Sequence, residues 1–276
     1  MKRIFLAIIA LLTISALAAC GTGGSNGGSE KEGTIVIGAS NTPHAEILEK
    51  AEPLLEKKGV KLKIIKFKDY VMPNKSLASK ELDANYFQHI PYLKSQMAEN
   101  KNYDFVNAGG IHIEPIGVYS KKYKKLEELP DNAQIIMSNS VADHGRMLSL
   151  LESKGLIKLK PGIDKTTATV KDIAENPKNI QFKTDVEASF LPQAYKSGEG
   201  DAVLINTNYA ISAGLNPMKD AIALEGADSP YVNIIAVRKG DENRKEIKTL
   251  VEVLHSKEIQ DFIKEKYKGA VVPVNG

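Results

Sequence analysis

Apolar positions along the chain recur with two periods, and the two alternate. Residues 34–39 are a compact apolar run of strand length. Ile47, Leu48, Ala51, Leu54 and Leu55 then recur at helical spacing, with Thr42 as the expected N-cap, Pro43 at the first helical position and Gly59 as the stop. Pro53 falls inside that pattern and predicts a kink. Val60, Leu62 and Ile64 alternate with lysines, as in a half-exposed strand. The rhythm continues with a helix over 73–80, a strand over 84–87, a helix over 91–99 and strands over 105–108 and 113–119.

A second series starts with a strand at 134–137 and a helix over 142–154 ended by Gly155. Segments at 169–175 and 180–183, a helix before Gly198 and a strand at 202–205 follow. The series closes with a strand at 232–237 and a helical tail over 241–267. Such alternation predicts α/β units on mostly parallel sheets. Breaks near 126–131 and 229–231 predict two lobes joined by two crossings. Lobe 1 is expected to hold 34–126 plus 231–276, and lobe 2 to hold 127–230.

The chain also repeats one device. Residues 81–87 and 199–206 each pass from a polar helix end through Asp-Ala into a strand, at Asp83-Ala84 and Asp201-Ala202. In open α/β sheets ligands sit beyond the carboxyl ends of strands. Two lobes that each present such an edge predict a cleft between them.

The first residues have a different logic. Lys2 and Arg3 precede an almost wholly apolar run from residue 4 to 19, too short for a typical membrane span and suited to a signal-peptide core. It ends in Leu17-Ala18-Ala19-Cys20, and Cys20 is the only cysteine. This resembles a bacterial lipobox, in which the cysteine is acylated after residues 1–19 are removed. Two acyl chains hold a membrane stably where one does not. Residues 20–33 are rich in Gly and Ser and read as a flexible tether.

Composition narrows the classes. With 42% hydrophobic and 26% charged residues, the chain can bury a core and is not of the disordered type. The formal net charge of +3 falls by two, to +1, once Lys2 and Arg3 are removed. That near-neutral balance removes the electrostatic case for nucleic acid. A cysteine-free body fits an exported protein without disulfides.

Three stretches concentrate side chains that a buried strand or helix does not need. Residues 83–92 (Asp-Ala-Asn-Tyr-Phe-Gln-His-Ile-Pro-Tyr) place amides and a histidine at a strand end, where they must meet hydrogen-bond partners. Residues 138–146 (Ser-Asn-Ser-Val-Ala-Asp-His-Gly-Arg) run from a strand into a helix start, with Arg146 read as lying in its first turn, a carboxylate site by charge and geometry. The third pairs 205–210 with 229–233, and so Asn206 with Asn233.

At these residues, and over nearly the whole mature chain, the sequence resembles the methionine-binding lipoproteins of bacterial ABC importers, also called the NlpA lipoprotein family. The resemblance implies a two-lobed α/β fold of the periplasmic-binding-protein type (type II), closing over one ligand in the cleft. It implies that Tyr70, Phe87, His89 and Tyr92 line the pocket for the ligand side chain, and that Arg146, Asn206 and Asn233 hold its carboxylate and amino groups. Many relatives carry a Pro-Thr-Asn-type turn ahead of Gly-Arg, where this chain has Val141-Ala142-Asp143-His144. The implied partners are methionine, the permease and ATPase subunits of the importer, and the extracytoplasmic face of the cell membrane through the lipid anchor. The binding protein itself is expected to act as a monomer, with no cofactor. A thioether gains roughly 0.3–1.5 kcal/mol from each aromatic contact, so a pocket of rings suits methionine.

Rival classes find less support. The chain has no Gly-x-Ser-x-Gly elbow and no His-Glu-x-x-His helix, so no catalytic residue is expected. Its five histidines are spread without i, i+4 pairs, so no metal site is expected. His44, His112 and His144 read as solvated or local caps, with His112 and Glu114 near the cleft, and His255 reads as structural. A surface adhesin would not need a strand-end Asn in each lobe. Within the favoured class the alternative ligand is a Met-containing dipeptide or another apolar amino acid.

Overall fold

The computed structural model describes residues 33–226 and 229–275. The expected signal segment, Cys20 and the tether up to residue 32 lie outside the described residues. The first lobe opens with β1 (Gly33–Ser40), α1 (Glu46–Glu56), β2 (Val60–Phe67), α2 (Met72–Ala78), β3 (Ala84–His89), α3 (Ile90–Glu99) and β4 (Phe105–Ile113). The chain then builds β5 (Gly117–Tyr119), β6 (Gln134–Ser138), α4 (Val141–Ser153), β7 (Lys158–Leu159), β8 (Ile173–Glu175) and β9 (Gln181–Val186). The second lobe is completed by α5 (Leu191–Ser197), β10 (Ala202–Ile205), α6 (Thr207–Ser212), α7 (Pro217–Asp220) and β11 (Ala223–Leu224). The return adds β12 (Val232–Arg238), α8 (Lys245–Leu254), α9 (Lys257–Tyr267) and β13 (Val272–Pro273) to the first lobe.

Two sheets carry the lobes. The first has the order β13-β4-β12-β3-β1-β2, with β1 parallel to β2 and β3 and the returning β12 inserted antiparallel between β3 and β4. The second has the order β11-β5-β10-β6-β9, with β10, β6 and β9 parallel. Because β5 already pairs with β10 in the second sheet, the first crossing lies at residues 114–116, ahead of the expected break near 126. The polar stretch that suggested that break is a tight turn inside lobe 2, whose Leu126 and Leu129 are buried in that lobe's core. The second crossing lies between β11 and β12.

Apolar stripes explain the layers. Ile35 and Ile37 of β1 pack beneath Ile47, Leu48, Ala51 and Leu55 of α1, with Ile247, Leu250 and Leu254 of α8 and Ile259 and Ile263 of α9 joining the same core. Burying each such side chain is worth roughly 1.5–3 kcal/mol. Three local expectations are corrected. Thr42 is extended, and its hydroxyl donates to Glu46 Oε1 at 2.6 Å instead of capping a helical N–H. The helix α1 runs unbroken through Pro53. The tail is two helices, since extended Ser256 (ψ 149°) starts α9 afresh.

The repeated Asp-Ala device is structurally real. Asp83 N donates to Val36 O at 2.7 Å, and Val36 N donates back to Asp83 Oδ2 at 2.9 Å, stitching β3 to β1. Asp201 N donates to Gln134 O at 2.8 Å, and Gln134 N donates back to Asp201 Oδ2 at 2.8 Å, stitching β10 to β6. Each aspartate meets a cation, Arg244 at 2.7 Å and Lys122 at 3.1 Å. The two clamps fix the starts of β3 and β10, and thereby aim the opposite ends of both strands at the cleft.

Candidate functional site

The carboxyl ends of β1, β2, β3, β6 and β10 all lead to residues at the junction of the lobes. Tyr70 follows β2, Phe87 to His89 end β3, α4 follows β6, and Asn206 follows β10. Because β12 runs antiparallel, its second residue, Asn233, sits beside His89 on one side and His112 on the other. Tyr70, Phe87, His89, Tyr92, Arg146, Asn206 and Asn233 line one cavity, together with Gln88, Glu114, Asp143, Thr207 and Asn208. The free volume left among these side chains is about 30 Å³, well below the roughly 300–1,000 Å³ typical of open small-molecule sites.

One part of the cavity is aromatic. Tyr70, Phe87 and Tyr92 form a triangle with ring centroids 6.0 to 6.1 Å apart, and Tyr209 lies 5.0 Å from Tyr70. Their hydroxyls are engaged: Tyr70 donates to Asn208 Oδ1 at 2.7 Å and Tyr92 to Tyr70 O at 3.0 Å. The ring faces are therefore left for an apolar side chain.

The rest of the cavity is charged and ties the lobes together. His89 accepts from Tyr92 N through Nδ1 at 3.1 Å, capping α3, and its Nε2 meets Asp143 Oδ1 across the cleft at 2.9 Å. The cap leaves Nε2 to carry the proton. Burial pushes the Asp143 carboxyl up, but the hydrogen bond and charge of His89, with Arg146 and Asn206, outweigh it and bring the pKa to about 2. Asn206 Nδ2 donates to Asp143 Oδ2 at 3.1 Å, which leaves Asn206 Oδ1 buried without a partner. A bare buried acceptor of this kind calls for a donor from outside the protein.

Arg146 lies in the second turn of α4, one turn later than the sequence predicted. It is 4% exposed and stacks over the Tyr231 ring at 4.6 Å. Its Nε donates to Glu225 Oε2 at 3.1 Å, its Nη2 also meets that oxygen, and Nη2 donates to Glu114 O at 2.7 Å. The guanidinium thus braces both crossings, and its Nη1 turns toward Asp143 Oδ1 at 3.9 Å. Gly145 admits a close approach beside it, because a Cβ there would stand 2.2 Å from Lys165 O.

Several sequence readings change. Asn85 and Gln88 are satisfied mainly by one another and by Asn74 of α2, in bonds of 2.9 to 3.0 Å, so much of the polarity of the β3 end is structural. His144 bonds Ser138 O at 2.8 Å and His255 bonds Gly110 O at 2.6 Å. His44 and His112, far from solvated, are 1% and 0% exposed and converge on Glu114. His112 Nε2 lies 2.8 Å and His44 Nε2 3.2 Å from Glu114 Oε1, and Tyr86 OH bonds His112 Nδ1. Among the described residues these three could hold a metal ion, but their ligand atoms already bond one another. Glu114 lines the cavity, near the cleft as expected from the sequence, whereas the sequence assigned no role to Asp143 or Asn208, because each acquires its role from a partner distant in the chain.

The NlpA lipoprotein family profile matches residues 35–275. The methionine-binding lipoprotein MetQ of Bacillus subtilis is 55% identical over 276 residues, covering 100% of both chains. A crystal structure of a putative methionine-binding lipoprotein from the same organism superposes with a TM-score of 0.87 at 57% identity, covering 88% of this chain and 98% of that one. A nutrient-binding protein from Burkholderia cenocepacia, bound to methionine, superposes with a TM-score of 0.81 at 45% identity, covering 87% of this chain and 99% of that one.

Proposed function

Because this chain belongs to the NlpA lipoprotein family, we propose that its cleft captures methionine outside the cytoplasm and delivers it to the permease and ATPase subunits of an ABC importer. One observation carries the reading: one cavity at the junction of the lobes brings three aromatic rings together with a buried guanidinium and the bare oxygen of Asn206. The rings of Tyr70, Phe87 and Tyr92 take the thioether. Arg146 takes the carboxylate, and Asn206 with Asp143 takes the ammonium. His89 and Asn208, reaching across the cleft to Asp143 and Tyr70, help to close the lobes formed by residues 33–113 with 232–275 and by 117–224. The site captures and releases its ligand and performs no chemistry on it.

The same reading makes Cys20 the acylated anchor at the extracytoplasmic face after residues 1–19 are removed. Among the described residues no helix is long and apolar enough to cross a membrane. Mass spectrometry of the protein extracted from its own membrane tests both halves. The intact chain should begin at a diacylated Cys20, and the molecule released on denaturation should be methionine. An uncleaved chain with a free Cys20 thiol would remove the anchor, and release of a different solute would remove the ligand.

A further inference from the structure

The buried group behind Asn233 has no direct part in the binding just described, yet it touches that residue. His44 Nε2 lies 3.0 Å from Asn233 Oδ1 and 3.2 Å from Glu114 Oε1. Glu114 Oε1 also meets His112 Nε2 at 2.8 Å, and His112 Nδ1 is occupied by Tyr86 OH. A ring nitrogen with one lone pair cannot accept from two neighbours, and a bare lone pair beside an acceptor oxygen is repulsive. Nε2 therefore carries the proton and shares it between the two oxygens.

That assignment settles the Asn233 amide. Its oxygen is committed inward to His44, so the planar group leaves Nδ2 as the atom offered to the cavity that Asn233 lines. Asn206 is the reverse case. Its Nδ2 is committed to Asp143, and its oxygen is left bare. We propose that His44, held in place by Glu114, is a positioning residue that fixes Asn233 as a donor to the ligand carboxylate, while Asn206 is the acceptor for the ligand ammonium. The two asparagines, one from each lobe, thus have opposite polarity and set which way round an amino acid lies. The inference rests on the cleft being an amino-acid site.

Asn233→Asp tests the polarity, because it keeps an oxygen for His44 and replaces the offered N–H2 with a second oxygen. The probes are methionine and methioninamide, whose carboxylate is replaced by a neutral amide, titrated calorimetrically into ligand-stripped full-chain protein. The variant should lose methionine affinity by about a hundredfold or more and methioninamide affinity by less than about tenfold, since only methionine brings its own carboxylate against the new one. Methionine affinity that is retained or improved would mean that position 233 faces the ammonium, and would overturn the assignment. His44→Gln, whose Nε2 keeps a donor near the same place, should preserve the methionine-to-methioninamide affinity ratio. His44→Leu should reduce that ratio about tenfold, because the amide is free to turn over. If His44→Leu lowers the melting temperature and leaves the ratio unchanged, His44 is only a packing residue and the inference fails. Should the unaltered protein bind neither probe, the amino-acid reading fails first, a result distinct from either of these.

Discussion

Replacing Arg146 with alanine is expected to weaken methionine binding by about 2–5 kcal/mol, roughly 30- to 5,000-fold, the usual range for truncating one partner of a buried charged pair. The structure adds a second consequence. Arg146 holds Glu225 and Glu114 O together, one on each crossing between the lobes, and covers the ring of Tyr231. Its loss strands Glu225 and leaves Asp143 with one fewer counter-charge, so the ligand-free protein should also lose about 3–5 kcal/mol of stability. For a body of this size that is a fall of roughly 6–20 °C in melting temperature. Arg146→Lys should keep part of the charge effect and lose the fork, placing it between the two. Calorimetry and thermal melts on the same samples separate the effects. A large fall in melting temperature with less than a tenfold loss of affinity would make Arg146 a brace for the crossings and not a ligand contact.

Acid should destabilise the protein from pH 6.5 downward, well above the range where its carboxylates protonate. Burial lowers the His44 pKa to about 4, with Glu114 opposing it, and lowers the His112 pKa to about 3. As pH falls through 6.5 the unfolded chain takes up both protons while the folded chain refuses them. Stability present above pH 6.5 is therefore lost as pH falls toward 4. The limiting slope for two protons is roughly 2.7 kcal/mol per pH unit. Glu114 acts with the opposite sign, because burial raises its pKa and the folded chain holds that proton longer than the unfolded one. It subtracts up to one proton from the slope within its own window. Asp143, depressed to about 2, adds loss only below its ordinary 3.8. Urea unfolding at pH 7, 6 and 5 should show a steepening fall, and His44→Gln should flatten it by about one proton. Stability that stays level from pH 7 to 5 would contradict the buried neutral histidines.

Much of the fold was legible because strands buried on both faces and helices with one apolar stripe leave plain periods. Residues 34–39 and the stripe from Ile47 to Leu55 are such cases. The aromatic part of the site was legible too, since Phe87, His89 and Tyr92 fall within one strand end and the helix it feeds. The charged part was less so. His89 meets Asp143 only because the two lobes come together, and Arg146 meets Glu225 only because the chain leaves β11 beside α4. The His44–His112–Glu114 group depends on β12 entering the first sheet between β3 and β4, a topology that no local spacing encodes. The lobe boundary was misplaced for a related reason. A three-residue strand, β5, carries too short a pattern to reveal which sheet it joins, whereas the polar turn after it gives a strong signal of the wrong kind.

Ligand-dependent melting shows whether the cleft is a methionine site. A ligand that binds only the folded chain raises stability by about 2.7 kcal/mol at a hundredfold excess over Kd. At roughly 2–4 °C per kcal/mol for a body of this size, the expected shift is about 5–10 °C. The protein should be refolded from denaturant to remove any carried-over ligand. Methionine should produce the full shift, leucine a smaller one for want of a polarisable sulfur, and glutamate and lysine none, because each would bring a charge among Tyr70, Phe87 and Tyr92. Equal shifts with leucine and methionine would contradict the thioether argument, and no shift with methionine would contradict the account as a whole.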